Sequence, residues 1–388
     1  MSGTTRPDQP SIWLNRFAWL TTIATLFLIC SGGMVTSKGV GLAVPDWPTT
    51  FGYNMFFFPV SHWVGGIFFE HTHRLIASAV GFLTIILAVW LWRAEDRRWV
   101  RNLGWFALVG VILQGVLGGL RVTMLKDEIG IFHACLAQAF FGLLVFIALV
   151  TSRFWRSLPQ AMLDRNKFWP IKTLAFLTTA AIYFQLGLGA TMRHQHRDLA
   201  ILDFPTANGA WIPDTSADTL AKINAWRDAR ALSNVTAFQI WLQMAHRFGA
   251  LLVLIGVLAF FIRVRGVDRA PLPGDGDGAP PRRPSSSTTR VSRLHGPAKR
   301  QDLYSLKRLS GWWLILLLLQ ISLGAWTIWS NKAADIATAH VAVGAIMLSF
   351  GVIISGICWQ LQSAWHGLPA RGGSEHTGKM PVPQVRAA

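Results

Sequence analysis

Eight apolar runs of about 20 residues each dominate this chain, and that length lets a helix cross the ~30 Å hydrocarbon core of a bilayer. They fall at roughly 17–35, 67–92, 103–122, 130–150, 171–191, 238–262, 310–329 and 337–359. In lipid the backbone finds no water to bond, so spans are helices or strands of a closed barrel. These runs are about twice a barrel strand's length. The fold class expected is therefore an all-α polytopic membrane protein with eight transmembrane helices. Trp13, Trp19, Trp92, Trp105, Trp155, Trp169 and Trp329 flank the runs and read as an interfacial aromatic belt.

The formal net charge of +17 invites a nucleic-acid partner, so its location matters. Of the 36 Lys and Arg, 25 lie in the N-terminus, the even-numbered connections and the C-terminal tail, Lys172 at a run's edge counted among them. Nine lie in the odd-numbered connections, Arg121 at a run's edge counted among them, and Arg74 and Arg247 lie well inside spans. Membrane topology alone requires this asymmetry. It places both termini in the cytoplasm, makes lipid the expected partner and leaves no case for nucleic acid. Residues 1–16 are polar and lead into a span-length run, which predicts an anchor that is not cleaved. Cys30, Cys135 and Cys358 fall in the spans without a CxxC pattern and read as buried packing residues.

The chain repeats itself. Leu42-Ala-Val-Pro-Asp-Trp-Pro-Thr-Thr-Phe-Gly52 matches Leu199-Ala-Ile-Leu-Asp-Phe-Pro-Thr-Ala-Asn-Gly209 at a spacing of 157 residues. Glu70-His-Thr-His73-Arg74 matches Gln243-Met-Ala-His246-Arg247. Leu113-Gln-Gly-Val-Leu-Gly118 matches Leu319-Gln-Ile-Ser-Leu-Gly324, and His133 matches His340. These pairs predict two tandem four-helix units, residues 1–165 and 166–388. An even number of spans per unit gives both the same orientation, so a pseudo-two-fold along the membrane normal is expected. Residues 264–308 of the second unit are basic and poor in apolar side chains, and read as a disordered cytoplasmic linker.

His73, His133, His246 and His340 each lie a few residues into an even-numbered span, near the outer leaflet. A histidine at membrane depth is costly and by default marks a functional site. The natural pairs are His73 with His133 and His246 with His340, each between helices of one bundle. Two imidazoles per site suit axial ligation of a haem iron. A bare zinc or copper ion would want further carboxylates or thiolates, and none cluster here. Arg74 and Arg247 follow histidines, and bidentate pairing with haem propionates is their expected role. Glu70 lies one turn before His73 on the same face, where a carboxylate could relay protons. Its counterpart Gln243 cannot, so the first unit is expected to do chemistry and the second to hold a permanent haem. His71 lies on the opposite helical face, His62, His194 and His196 fall in outer loops, and His295, His366 and His376 in the inner linker and tail. None of these is assigned a site role.

With these residues in hand, the chain resembles the haem A synthase family over about residues 17–360. The resemblance rests on Glu70-x-x-His73-Arg74, His246-Arg247, the histidines His133 and His340, and the Pro-Asp-Trp-Pro outer loop. It implies an oxidoreductase of the cell inner membrane that converts a methyl group of haem O to the formyl group of haem A for terminal oxidases. By the resemblance, His73, His133 and Arg74 would bind the substrate haem O, with Glu70 catalytic beside it. His246, His340 and Arg247 would hold haem b as the electron-transfer cofactor. An electron donor, haem O synthase and terminal oxidase assembly factors would be partners. Family members often carry a cysteine pair in these outer loops, whereas this chain has Val44 and Thr50 in one and Ile201 and Ala207 in the other. A dihaem electron carrier and a haem transporter stay open as alternatives.

Overall fold

The computed structural model describes residues 11–158, 165–195, 199–266 and 296–363. Ten helices follow one another among them. They are α1 (Ile12–Ser37), α2 (Gly65–Ala94), α3 (Arg98–Met124), α4 (Asp127–Val150), α5 (Arg153–Ser157), α6 (Arg165–Gln195), α7 (Ala217–Asp228), α8 (Ala237–Gly266), α9 (Gly296–Trp329) and α10 (Ala334–Ser363). Among the described residues, eight of these are long and apolar enough to cross a membrane, all except α5 and α7. The chain thus reads as a multi-pass membrane protein.

Local chemistry explains several helix ends. Ser11 caps α1 by accepting the Leu14 N–H. Asp127 and Glu128 occupy the first turn of α4, where carboxylates favour the positive end of the helix dipole. Leu125 closes α3 in the left-handed region at φ 54°. Within α1 the buried hydroxyls of Thr21, Thr22 and Thr25 donate to carbonyls one turn back, so each is paired inside the bundle.

Consecutive spans pack in two closed rings: α1 to α4 form one, and α6, α8, α9 and α10 the other. The rings meet along α1, α4, α6 and α10. More than half of the spanning residues of α4 and α10 are buried, against a third or fewer in the other six spans. The helices carrying His133 and His340 are therefore central, and those carrying His73 and His246 peripheral.

Four features differ from the sequence reading. Trp155 is buried against Phe146 and does not join the interfacial belt, because α5 folds back under the bundle. Residues 296–308 of the expected linker are helical, as the first turns of α9, while 267–295 lie outside the described residues. The histidines His295, His366 and His376 lie outside them too, as does His196. The sixth helix runs on to Gln195, which lifts His194 out of the loop and into its last turn. Helix α7, which hydropathy alone did not reveal, lies in the long outer connection and is pinned by the buried Arg227, which donates to the carbonyls of Ser233 and Leu199.

Candidate haem-binding cavity

Each of the four membrane histidines sits seven to ten residues into its helix, roughly 10 Å from the helix start. They share one cavity of about 1040 Å³, which also holds Glu70, Arg74, Arg121, Arg193, His194 and Arg247 on its walls. The His246 and His340 rings stand 6.4 Å apart between centroids. A metal bound by one nitrogen of each ring, at about 2 Å per bond as usual for imidazole, calls for a spacing of roughly that size. His73 and His133 lie within electrostatic reach of one another.

Every one of these rings rests against a glycine of the preceding spanning helix. A Cβ added at Gly32 would stand 2.9 Å from His73 Cε1, at Gly118 3.5 Å from that of His133, at Gly189 3.2 Å from that of His246, and at Gly324 3.1 Å from that of His340. Nδ1 of His73, His133 and His246 is buried with no hydrogen-bond partner among the described residues. Nδ1 of His340 faces the Gln320 carbonyl at 3.1 Å. Buried imidazoles without partners are uncommon unless something else satisfies them. No group of three or more His, Cys, Asp or Glu suited to a metal ion occurs among the described residues. Paired imidazoles in a roomy apolar cavity fit a haem held by axial ligands and do not fit a small ion caged by protein.

The outer loops roof this cavity and are built alike. Asp46 accepts hydrogen bonds from Thr49 Oγ1, Phe51 N and Gly52 N. Asp203 accepts the same set from Thr206, Asn208 and Gly209. Partial burial raises the Asp46 pKa, but the hydrogen bonds from Gly52, Thr49 and Phe51 outweigh it and hold the carboxyl below its ordinary value. Asp203 is depressed in the same way, with Thr206, Gly209 and Asn208 overcoming desolvation. Gly52 and Gly209 adopt φ values of 78° and 82°, a conformation that favours glycine. Both loops contain a cis proline bond, Trp47–Pro48 and Phe204–Pro205.

The arginines after the histidines turn toward these roofs. Arg74 donates to the carbonyls of Val44, Asp46 and Thr49 and to Glu70 Oε1 at 2.9 Å. Arg247 donates to the carbonyls of Asp203, Pro205 and Thr206. Glu70 is buried, and its second oxygen accepts the Val44 N–H at 2.9 Å. Gln243 repeats that contact by accepting from Ile201 N and adds a donation to Ile201 O. Glu70 and Gln243 thus hold equivalent loops to equivalent helices. Val44, Thr50, Ile201 and Ala207 are fully buried, so packing closes the roof.

Sequence reasoning missed three wall residues. Arg121 was counted with the outer-loop charges, but stands in the last turn of α3. Arg193 and His194 stand in the last turn of α6, and His71 is buried with Nδ1 3.3 Å from Thr50 Oγ1. The available signal was the cationic pair of Arg121 and Arg193, each at the end of an apolar run.

Comparison with known proteins gives a consistent picture. The cytochrome oxidase assembly protein family (COX15-CtaA) matches residues 15–274. The heme A synthase of Shouchella clausii is 29% identical over 259 residues, covering 64% of this chain and 82% of the relative. That of Halalkalibacterium halodurans is 30% identical over 209 residues, covering 52% and 66%. That of Shewanella oneidensis is 24% identical over 382 residues, covering 91% and 98%.

Proposed function

The chain belongs to the COX15-CtaA family of cytochrome oxidase assembly proteins, and from that premise we propose that it is a membrane haem A synthase acting on haem O. The observation that carries the reading is the pairing of half-buried imidazoles in one glycine-lined cavity, with the His246 and His340 rings 6.4 Å apart. His73 and His133 hold the substrate, and His246 and His340 hold a resident haem b. The haem b supplies one-electron transfer when bound.

The chain's own residues do the rest. The four histidines would hold the two haems at similar depth near the outer leaflet. Converting a methyl carbon to a formyl group adds one oxygen atom and, with water as its source, releases four protons and four electrons, which an oxidant outside the chain must accept. Glu70 is the carboxylate on the cavity wall one turn from His73, placed to take a proton from that region. Arg74 secures Glu70 and the first roof together, and Arg247 secures the second roof, so both loops exclude water from the cavity. The excess of Lys and Arg in the even-numbered connections supports cytoplasmic termini in a bacterial inner membrane, with the roofs on the opposite side. With dioxygen as that oxidant an electron donor is required as well, because each oxygen insertion reduces the second oxygen atom to water.

Co-expression with a source of haem O, followed by pigment extraction, tests this reading. Haem A in the extract is the expected outcome, and His246→Ala or His340→Ala is expected to remove the low-spin b-type spectrum from protein that still inserts. A second reading, a dihaem electron carrier, draws on the matched loop contacts of Glu70 and Gln243, which need no chemistry. Haem b as the only pigment would favour it.

A further inference from the structure

Among the cavity positions at which the two units differ, three converge. Arg121 stands where the second unit has Thr327, while Arg193 and His194 stand where the first has Thr36 and Ser37. Two glycines make room for the Arg121 guanidinium. A Cβ on Gly41 would lie 3.0 Å from Nη2, and one on Gly130 would lie 3.3 Å from Nε. That same point at Gly130 is 2.7 Å from His194 Nδ1, so α4 brings Arg121 and His194 side by side. Arg193 reaches across the seam between the rings and donates from Nη2 to Gly33 O and Ser37 Oγ. Its Nε is buried without a partner among the described residues.

Arg74 and the Nη groups of Arg247 donate to loop carbonyls, although Arg247 Nε, like that of Arg193, is buried without a partner among the described residues. Arg121 interacts with Glu70 and Asp127 only through longer-range electrostatics, and none of the described residues accepts a hydrogen bond from it. Arg121 and Arg193 are close enough to repel. The charge of Arg121 reaches His73 and His133, and that of Arg193 reaches His340. Two half-desolvated guanidiniums facing a cavity are costly until an anion joins them. Their fork geometry matches a carboxylate.

We propose that Arg121, completed by Arg193 and His194, is the carboxylate-binding station of this cavity and takes the acidic edge substituents of the porphyrin held at His73 and His133. The proposal rests on the haem reading above and assigns the anion to Arg121 in place of Arg74. Arg121 acts here as a substrate-binding residue, and the roof arginines as loop anchors.

The test is an absorbance titration of full-length His340→Ala protein, which keeps the first site, with iron protoporphyrin and with its dimethyl ester. The diacid is expected to bind about tenfold tighter or more, the range of a charge-assisted pair. Arg121→Gln should bring the ratio to within about twofold while leaving ester affinity unchanged, and Arg74→Gln should preserve the ratio. If Arg121→Gln does not fold, Arg121→Lys carries the test, because it keeps the charge but loses the fork and should lower the ratio several-fold. An unchanged ratio in either Arg121 variant, with binding still abolished by His73→Ala, overturns the station and leaves the haem reading standing. Binding of both porphyrins that ignores His73→Ala overturns the haem reading and the station with it. Phosphatidylglycerol that competes equally with diacid and ester, and only when Arg121 is present, would give these cations to a lipid phosphate and overturn the proposal.

Discussion

Gly32 of α1 and His73 of α2 are fitted to one another, and a single added carbon on the glycine would stand 2.9 Å from His73 Cε1. Real Cβ atoms essentially never approach so closely, so the imidazole could not keep its place. The same relation recurs at Gly189 with His246 and Gly324 with His340, more loosely, and most loosely at Gly118 with His133. The repeat thus preserves the space around each ring as well as the ring itself.

That gradient predicts a graded response. Gly32→Ala is expected to weaken haem binding at the first site by at least several-fold, since the ring must shift or rotate. Gly118→Ala, whose new carbon would meet His133 at an ordinary 3.5 Å, should be tolerated. Titration of the two variants side by side checks this, and equal affinities would remove the steric argument.

Glu70→Gln copies the side chain that already serves the second unit at Gln243. The Val44 N–H keeps an acceptor, so the loop should stay closed and both haem sites should fill. Production of haem A is expected to fall at least ~10-fold, as usual for losing an acid–base group. Gln243→Glu should leave the product unchanged. Chromatography of haem O, the partly oxidised alcohol and haem A separates lost binding from stalled chemistry. Full haem A output from Glu70→Gln would reduce the carboxylate to a loop anchor.

The roofs should respond to acid. Asp46 and Asp203 have depressed folded-state pKa values, so their contribution is fully present above the unfolded value of about 4. It is lost as pH falls through the folded values. Loop opening, followed by limited proteolysis, is expected to increase below about pH 4, and in Asp46→Asn with Asp203→Asn that acid step should disappear. Persistence of the step in the double variant would place its origin elsewhere.

Reductant should not matter. The three cysteines are free, and Val44, Thr50, Ile201 and Ala207 close the roofs by burial. Replacing Cys30, Cys135 and Cys358 together by Ala is expected to leave haem A formation within about twofold of the parent, with or without dithiothreitol. A triple variant that binds haem normally yet makes no product would show that a thiol takes part.

By itself the sequence determined the number of spans, because span length follows from bilayer thickness. It also picked out four histidines, because matching motifs place them at corresponding positions of the two halves. It did not determine where the cations point. Arg74 and Arg247 follow their histidines in sequence, but the carbonyls of the folded-back loops capture their guanidiniums. Arg121, Arg193 and His194 come from separate helices, and only helix register and the gaps at Gly41 and Gly130 bring them to one wall. Hydropathy is a property of each segment alone and survives in the unfolded chain. The direction of a long flexible side chain depends on which acceptors and which empty volumes its neighbours supply, and those exist only after the helices have packed.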